Sequence, residues 1–315
     1  MKIYNLLNEI PATKKGILTI GTFDGLHIGH REIVNLLSHY SEKERGETFV
    51  ITFVNHPLSI LYPKRVPKSL GSIDFKIDFF KKNKIDHLIL LEFTQEIANI
   101  SHQDFFNFIF SKFDSLTMVV GNNFRFGKGN FGNIEYLRGF EGDKYCLNVV
   151  NKVYYKNHNV SSSTIRQFIR HGEIELANEM LDREYFIDGK IISGDQLGRS
   201  IEFPTINILN ENYVHPKAGV YKSRIEIDEN IFLGMTFIGK KSVGNDQMSD
   251  QLIESHIFNF SEDVYNRNAK IYFQERIRDE MQFNSLEELK IQLIKDKNQI
   301  ISMENNNKLH PNITK

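Results

Sequence analysis

The stretch Gly16-Ile17-Leu18-Thr19-Ile20-Gly21-Thr22-Phe23-Asp24-Gly25-Leu26-His27-Ile28-Gly29-His30 decides the fold of this chain. Its first five residues are mostly apolar and β-branched, as in a buried parallel strand, whereas Arg31 to Tyr40 carries apolar side chains at helical spacing. A glycine-rich turn therefore joins a strand to a helix. Because the start of such a helix offers free N–H groups and a partial positive charge to an anion, the stretch predicts a phosphate site.

Two other interpretations of this stretch are open on these residues alone. Asp24-Gly25 could be the turn of a β-hairpin, and His27 with His30, which share one helix face, could be half of a zinc site. A hairpin needs a second strand where the sequence becomes helical. A zinc site needs further ligands that the sequence does not identify. The phosphate interpretation is favoured.

Composition sets the class of protein. The chain has 315 residues, 40% of them hydrophobic and 25 of them phenylalanine, which is enough for two cores. With a formal net charge of −1, the chain has no overall field that would attract nucleic acid or an anionic membrane surface. Small-molecule substrates are therefore expected. The one cysteine, Cys146, excludes an internal disulfide and is predicted to be buried. We expect a soluble cytoplasmic protein, since no signal peptide or membrane span is evident.

The first half of the sequence alternates strands with helices, which indicates an α/β fold with a doubly wound parallel sheet. The strands are predicted at 16–20, 48–53, 86–93 and 116–120, and the helices at 31–40, 72–83 and 103–113. From Tyr185 onward the sequence pattern changes to short predicted strands separated by polar turns, which is typical of a small antiparallel β-barrel. A closing helix is predicted over 285–302, with Ser285 as its N-cap. The predicted domains are 1–184 and 185–303, followed by a frayed polar tail over 304–315.

Two further segments of the first half carry ligand-type residues. Gly121 to Gly132 combines three phenylalanines with Arg125 and Lys128, and aromatic rings beside cations can stack a planar ring and meet a phosphate. A mobile surface loop is the alternative. Ser161 to Arg166 places four hydroxyls and an arginine at a helix start. Helix capping explains one or two of those hydroxyls, and phosphate binding explains the set.

These segments resemble motifs of the bacterial bifunctional riboflavin kinase/FMN adenylyltransferase family, the FAD synthetases, within the HxGH nucleotidyltransferase superfamily. The histidine stretch resembles the HxGH signature, and Val160 to Arg166 resembles VSSTxIR, with Ser163 where threonine is usual. Thr52 to Pro57 resembles TFxPHP with Asn55 in place of proline. Gly121 to Gly127 resembles GxDFRFG with Asn123 in place of aspartate.

The resemblance implies that the FMN phosphate attacks the α-phosphorus of ATP, giving FAD and pyrophosphate with Mg²⁺ bridging the phosphates. His27 and His30 would donate to phosphate oxygens, while Ser163 and Arg166 would hold the leaving side. Asp24 would order the loop or help place the metal. The nucleotide- and flavin-binding residues implied are Gly21, Phe23, Asp24, Gly25, Gly29, Asn55, His56, Asn123, Phe124, Arg125, Phe126 and Ser162.

The second half resembles the riboflavin kinase of the same family, over 189–199 and 203–207 and at Ile253 to Phe258. The resemblance implies nucleotide contacts at Gly198, Arg199 and Asn207, a magnesium ligand at Thr205 and a general base at Glu254. The sequence departs from the family at three places. Glu202 replaces glycine, Ile206 replaces alanine, and 240–246 replaces a Pro-Thr-Phe segment. The alternative is that these motif residues have no catalytic role and only build the turns and strands of the barrel.

The sequence therefore predicts an FAD synthetase whose kinase-like domain has doubtful activity. One alternative is a fully bifunctional enzyme that converts riboflavin to FMN and FMN to FAD. The other is a non-catalytic flavin-binding regulator, against which both histidines argue.

Overall fold

The computed structural model describes residues 1–193, 198, 201–208, 210–240 and 251–309, and it divides into two compact units, Met1–Ser162 and Ser163–Lys315. The sequence also predicts a barrel strand over 205–209, and the expectations for Arg199, for Leu209 at the end of that strand and for the segment after Lys240 lie outside the described residues. So does the end of the predicted tail, residues 310–315. The predicted domain boundary at 184 stays a prediction.

The first unit is built on a six-stranded parallel sheet of order β1-β4-β3-β2-β5-β8. The chain places β1 at one edge, continues from the central β2 outward through β3 and β4, and then returns to add β5 and β8 on the other side, so the doubly wound fold is confirmed. The sheet strands are β1 Lys2–Tyr4, β2 Thr13–Ile20, β3 Glu47–Phe53, β4 His87–Leu91, β5 Phe113–Gly121 and β8 Tyr145–Val150. Two short hairpins add β6 Arg125–Phe126 with β7 Gly132–Asn133, and β9 Tyr154–Tyr155 with β10 His158–Asn159.

Helices cover both faces of this sheet. Along β2, Leu18 and Ile20 belong to one buried apolar cluster and Ile17 to another, because successive side chains of a strand point to opposite faces. This is why the strand is apolar throughout rather than alternating. The α-helices whose bounds lie within the described residues are α1 Ile28–Glu44, α2 Leu58–Leu61, α3 Ile73–Lys82, α4 Gln95–Asn99, α5 His102–Phe110, α6 Ile134–Arg138, α7 Ser162–His171, α8 Ile174–Leu181 and α9 Leu286–Leu309.

Two expectations for this unit were wrong. Cys146 is exposed, because β8 is the edge strand and turns Tyr145 and Leu147 to the core instead. The helix predicted to reach Phe113 ends at Phe110, and Phe113 opens β5 with its ring 5.0 Å from that of Phe49. Within the described residues, no helix is both long and apolar enough to cross a membrane.

The second unit contains the predicted closed antiparallel barrel, of order β11-β12-β15-β14-β13-β16. Its strands are β11 Tyr185–Ile192, β12 Ile206–Ile208, β13 Gly219–Ile227, β14 Asn230–Lys240, β15 Gln251–Ile257 and β16 Asn268–Arg278. Three buried hydroxyls form a ladder across neighbouring strands, with Ser223 Oγ 2.7 Å from Thr236 Oγ1 and Thr236 Oγ1 2.8 Å from Ser255 Oγ. Because each hydroxyl has a partner, the ladder carries no unsatisfied polar atom into the barrel.

Helix α9 is fastened to the barrel by two ion pairs. Arg278 binds the buried carboxylate of Asp296 with Nε–O distances of 2.9 and 3.0 Å, and buried Lys222 binds Glu304 at 2.8 Å. Ser285 caps the helix by accepting from the Glu288 N–H at 3.1 Å, as predicted. The expectation of a frayed tail from residue 304 was wrong as far as Leu309, since the Lys222 contact lies within a continuing helix.

Candidate functional site

The loop between β2 and α1 has an unusual backbone. Phe23, Gly25 and Leu26 have φ angles of +47°, +84° and +50°. A non-glycine residue in this left-handed region costs about 1–2 kcal/mol, and such residues concentrate at functional sites. Phe23 and Leu26 are each 1% exposed, so core packing holds the loop in this conformation. The buried ring of Phe23 therefore supports the loop from the core.

The two histidines of the loop form one stacked pair at the start of α1. His27 is the N-cap residue, and its ring lies 3.7 Å from that of His30 with 16° between the planes. The Phe23 ring meets His30 edge-on at 5.2 Å. Burial, the neighbouring His27 and the charge of Lys76 hold the pKa of His30 well below its ordinary value. His30 is therefore neutral at pH 7 and carries one N–H that can donate to an anion.

The structure contradicts one of the two alternatives for this stretch and adds nothing to the other. The hairpin interpretation is wrong, because α1 begins at Ile28 directly after the turn. The zinc interpretation gains no support, because in the part of the chain that is described no group of three or more His, Cys, Asp or Glu side chains could hold a metal ion.

Asp24 anchors the loop to two other segments. Its Oδ1 accepts from the Leu70 N–H at 3.0 Å, and its backbone carbonyl accepts from Ser162 Oγ at 2.8 Å. Of the two roles expected for Asp24, loop ordering is therefore observed. The glycines leave room for the rings, since a Cβ at Gly29 would lie 3.3 Å from the His27 ring and one at Gly21 would lie 3.1 Å from Phe23.

Lys76 is a residue of this site that the sequence reasoning missed. Its Nζ donates to the carbonyl of Thr22 at 2.8 Å and to that of Phe53 at 3.2 Å, so one ammonium joins the loops after β2 and β3. Burial lowers its pKa to about 8, against the opposing effect of Asp24. The available signal was a lysine inside the apolar stripe of α3, which repeats at 73, 76, 77 and 80.

The loop after β3 is closed by Asn55. Its side chain accepts from the Phe93 N–H at 2.7 Å and donates to the Phe93 carbonyl at 3.0 Å. His56 Nδ1 accepts from the Leu58 N–H at 3.1 Å. Asn55 thus joins the ends of β3 and β4, a structural use that was not expected from its place in the motif.

The phenylalanine-rich loop forms the β6–β7 hairpin rather than a plain linker. Phe124 and Phe126 stack with ring centroids 5.4 Å apart, and Phe126 is buried while Arg125 is exposed. A Cβ at Gly132 would lie 2.6 Å from the Phe126 ring, so glycine is required there. Asn123 lies in the turn before β6, where Phe124 N–H donates to the Gly121 carbonyl.

An apolar cavity of about 900 Å³ opens at the carboxyl ends of β3 and β4. Val54 and Leu91 lie at these strand ends, and Ile97, Phe105 and Phe108 line the cavity from the helices. A pocket of this size and lining accommodates a large planar ligand. Phe105 also contacts Phe126 at 5.9 Å, which places the hairpin beside the cavity.

Ser163 and Arg166 lie on α7, in the second unit. Arg166 is buried, with only 6% of its surface exposed. In the same unit, Asn178 of α8 donates to the Phe273 carbonyl at 2.8 Å and accepts from the Tyr185 N–H at 2.6 Å, so this helical segment is joined to the barrel.

The barrel brings three predicted kinase residues together. Asn207 of β12 lies directly opposite Glu254 of β15, and Thr205 Oγ1 donates to Glu254 Oε1 at 2.5 Å. Gly198 stands close by, since its carbonyl accepts from the Phe203 N–H at 2.8 Å and a Cβ on it would lie 2.2 Å from the Phe203 oxygen.

The departures at Glu202 and Ile206 have local explanations. Glu202 has φ +67°, which suits the glycine that the family has there, but its carboxylate is 81% exposed and pairs with Lys290 of α9 at 2.8 Å. That ion pair, chiefly its hydrogen bond, lowers the pKa of Glu202. Ile206 is buried, opposite Ser255. In the described residues, the Glu202 carboxylate is thus engaged by Lys290 on the exposed side of the barrel.

Fold and site together define a protein of two units, with a histidine-bearing loop at a helix start on an α/β sheet and a hydroxyl, amide and carboxylate cluster on a β-barrel. Residues 9–164 match the family model described as FAD synthetase, and 181–303 match that of riboflavin kinase. The chain is 32% identical over 301 residues to the bifunctional riboflavin kinase/FMN adenylyltransferase of Bacillus subtilis, covering 95% of both chains. It is 32% identical over 294 residues to the Haemophilus influenzae protein of the same name, covering 89% of this chain and 91% of the other.

The chain belongs to the bifunctional riboflavin kinase/FMN adenylyltransferase family. A crystal structure described as a macrolide-efflux protein from Streptococcus pneumoniae has the same fold, with a TM-score of 0.85 and 26% identity over 94% of this chain and 97% of the other.

Proposed function

We propose that this chain has both family activities, phosphorylation of riboflavin to FMN and adenylylation of FMN to FAD. The observation that carries the proposal is that each unit assembles its own reactive cluster. The stacked pair His27 and His30 lies at a helix start, and Glu254 lies within hydrogen-bond reach of Thr205 and opposite Asn207.

In the adenylyl transfer, an FMN phosphate oxygen forms a bond to the α-phosphorus of ATP while the bond to the β-phosphate oxygen breaks. The leaving group is pyrophosphate, and no protein nucleophile is needed. His27 and His30 would donate N–H groups to the α-phosphate oxygens as negative charge develops, and the N-terminus of α1 adds its partial positive charge. We assign polyphosphate binding to Ser163 and Arg166 on the family motif, with Ser162 fixing the backbone at Asp24.

The flavin ring of FMN would occupy the apolar cavity at the ends of β3 and β4. The lining of the cavity is mostly apolar, which suits a large aromatic ring, and the Phe124–Phe126 hairpin with exposed Arg125 stands next to it. Asn55, His56 and Asn123 would border this pocket from their strand-end loops.

In the phosphoryl transfer, the riboflavin 5′-oxygen would form a bond to the γ-phosphorus of ATP while ADP leaves. Glu254 would accept the hydroxyl proton, because its carboxylate is the acidic group of the cluster. The oxygen donors of Thr205 and Asn207 suit Mg²⁺, which prefers oxygen ligands and keeps phosphate and water as partners. Bound there with ATP, Mg²⁺ would neutralise charge on the phosphates.

The test incubates the purified chain with ATP, Mg²⁺ and either riboflavin or FMN, and separates the flavins by chromatography. The proposal expects FMN and FAD from riboflavin, and FAD from FMN. FAD from FMN with no product from riboflavin would restore the interpretation of a kinase-like domain without activity. Bound flavin with no product in either reaction would instead support a regulator.

Two variants assign the reactions to their clusters. His30→Ala should reduce FAD formation by roughly 100-fold or more and leave riboflavin phosphorylation intact. Glu254→Gln should show the opposite pattern, because it removes only the proposed base. A parallel loss of both activities in either variant would contradict the assignment of separate sites.

A further inference from the structure

His256 is a buried imidazole that neither proposed reaction uses. It is 7% exposed, and it lies two residues after Glu254 on β15, so both side chains point to the same side of the strand. Its ring packs 4.9 Å from that of Phe203 and 5.6 Å from that of Phe258. Such a residue could be a simple core histidine, but its hydrogen bond points to a more specific role.

The hydrogen bond of His256 is directed at the backbone that carries Thr205. Nδ1 lies 2.8 Å from the carbonyl oxygen of Pro204. A carbonyl oxygen can only accept, so Nδ1 carries the proton. Nε2 is buried, and among the described residues it has no hydrogen-bond partner. The bond therefore accounts for the tautomer, and it fixes the peptide unit directly before Thr205.

The surroundings of His256 favour a neutral ring. The ammonium of Lys297 on α9 lies 5.3 Å from the centre of the Phe258 ring and 6.0 Å from that of Phe203. Burial lowers the pKa of His256, Lys297 adds to this effect, and the Pro204 bond opposes it. A neutral imidazole with its single proton on Nδ1 is a donor to Pro204 throughout the neutral pH range.

Through Pro204, the hydrogen bond of His256 is linked to the cluster formed by Thr205, Asn207 and Glu254. Thr205 follows it in the chain and donates to Glu254, while Glu254 precedes His256 by two residues on the neighbouring strand. The two hydrogen bonds thus close a small ring of contacts between the start of β12 and β15. A shift of the Pro204 carbonyl moves the Thr205 hydroxyl, and with it the orientation of the Glu254 carboxylate.

We propose that His256 is a positioning residue for riboflavin phosphorylation, which holds Thr205 and Glu254 in register by donating from Nδ1 to the Pro204 carbonyl. This role rests on the kinase activity proposed above. His256 itself touches neither substrate nor phosphate in this proposal. Its effect is on the turnover number, because it orients groups that act in the transition state.

The test compares asparagine and glutamine at position 256. Asparagine places its amide N–H₂ near the position of Nδ1, whereas glutamine places it near Nε2, one methylene farther from the backbone. His256→Asn should keep the turnover number for FMN formation within about threefold of wild type. His256→Gln and His256→Phe should lower it by roughly 10- to 100-fold, since small misplacements of reacting groups cost this much. The KM for riboflavin should change little.

FAD formation from FMN, measured on the same protein samples, should be unchanged in all three variants, and urea unfolding of each variant is the control for folding of the barrel. Equal kinase turnover in the asparagine and glutamine variants, whether both retain or both lose activity, would overturn the positioning role. If the phenylalanine variant unfolds, the asparagine and glutamine pair still decides the matter. If the wild-type chain forms no FMN from riboflavin, the proposed kinase activity and the role of His256 are both refuted. If wild type is active but the asparagine and glutamine variants have equal turnover, only the role of His256 is refuted.

Discussion

Replacing Lys76 with methionine tests whether one buried ammonium holds the two strand-end loops of the first unit. Methionine has a stem of similar length and no donor, so the carbonyls of Thr22 and Phe53 would both lose a partner. A hydrogen bond from a charged donor contributes about 1.5–3 kcal/mol. Because a displacement of about 1 Å can cost 100-fold in rate, we expect kcat/KM for FAD formation to fall by roughly this factor. Riboflavin phosphorylation should be unaffected.

The same substitution has a defined effect on stability. The fold lowers the pKa of Lys76 from 10.5 to about 8, which corresponds to roughly 2–3 kcal/mol once its partial exposure is allowed for. Between pH 8 and 10.5 the unfolded chain binds a proton that the folded chain has released. The free energy of unfolding of wild type should therefore rise relative to Lys76→Met over this interval and run parallel to it below pH 8.

Urea unfolding at a series of pH values measures this difference, and a coupled flavin assay measures the rate. Lys82→Met is the matched control, because Lys82 is exposed on the same helix and should change neither quantity. Unchanged FAD formation in Lys76→Met would refute the role of the ammonium in the loops. A stability difference that is independent of pH would refute the perturbed pKa.

Three more perturbations follow from the structure. Because the pKa of His30 lies below its ordinary value, the unfolded chain gains a proton below about pH 6.5 that the folded chain lacks. Wild type should therefore lose stability relative to His30→Gln as pH falls from 7 to 5, and equal slopes in urea unfolding would contradict this. Asp296→Asn should cost about 3–5 kcal/mol in chemical denaturation, because it leaves the Arg278 guanidinium without its buried carboxylate, and a loss below about 1 kcal/mol would speak against that pair. Glu202→Gly relieves a left-handed backbone worth about 1–2 kcal/mol, but it adds freedom to the unfolded chain and removes an exposed ion pair. Stability should change by less than about 1 kcal/mol and FMN formation by less than twofold, whereas a large gain in FMN formation would show that the Glu202 carboxylate disturbs the phosphates.

Local sequence determined more of this fold than of its long-range contacts. The strand, turn and helix around His27 follow from residue type and spacing within fifteen positions. The family motif singles out Asn207 and Glu254, but only the structure shows that they lie opposite each other. The barrel and its closing helix followed from strand spacing and from the capping serine at 285.

The misses came from partners that are distant in sequence. Whether Cys146 is buried depends on β8 being the edge of the sheet, which no residue of β8 reveals. The carboxylate of Glu202 pairs with Lys290, 88 positions away, and the ammonium of Lys76 donates to the carbonyl of Thr22 after β2 and to that of Phe53 at the end of β3. A charged residue within an apolar stripe indicates that some partner exists, but the sequence does not say which one.

The hydroxyl ladder of Ser223, Thr236 and Ser255 has a consequence for how the barrel can evolve. Side chains alternate along β15, so a slip of one residue would turn Ser255 outward and carry Glu254 into the interior, where its charge would have no partner. Valines at the three positions would bury apolar surface equally well in more than one alignment. The three hydroxyls can hydrogen-bond to one another in only one register of strands β13, β14 and β15. In that register the Glu254 carboxylate lies opposite Asn207. During evolution, residues around the ladder could be replaced one at a time, whereas Ser223, Thr236 and Ser255 could change only together.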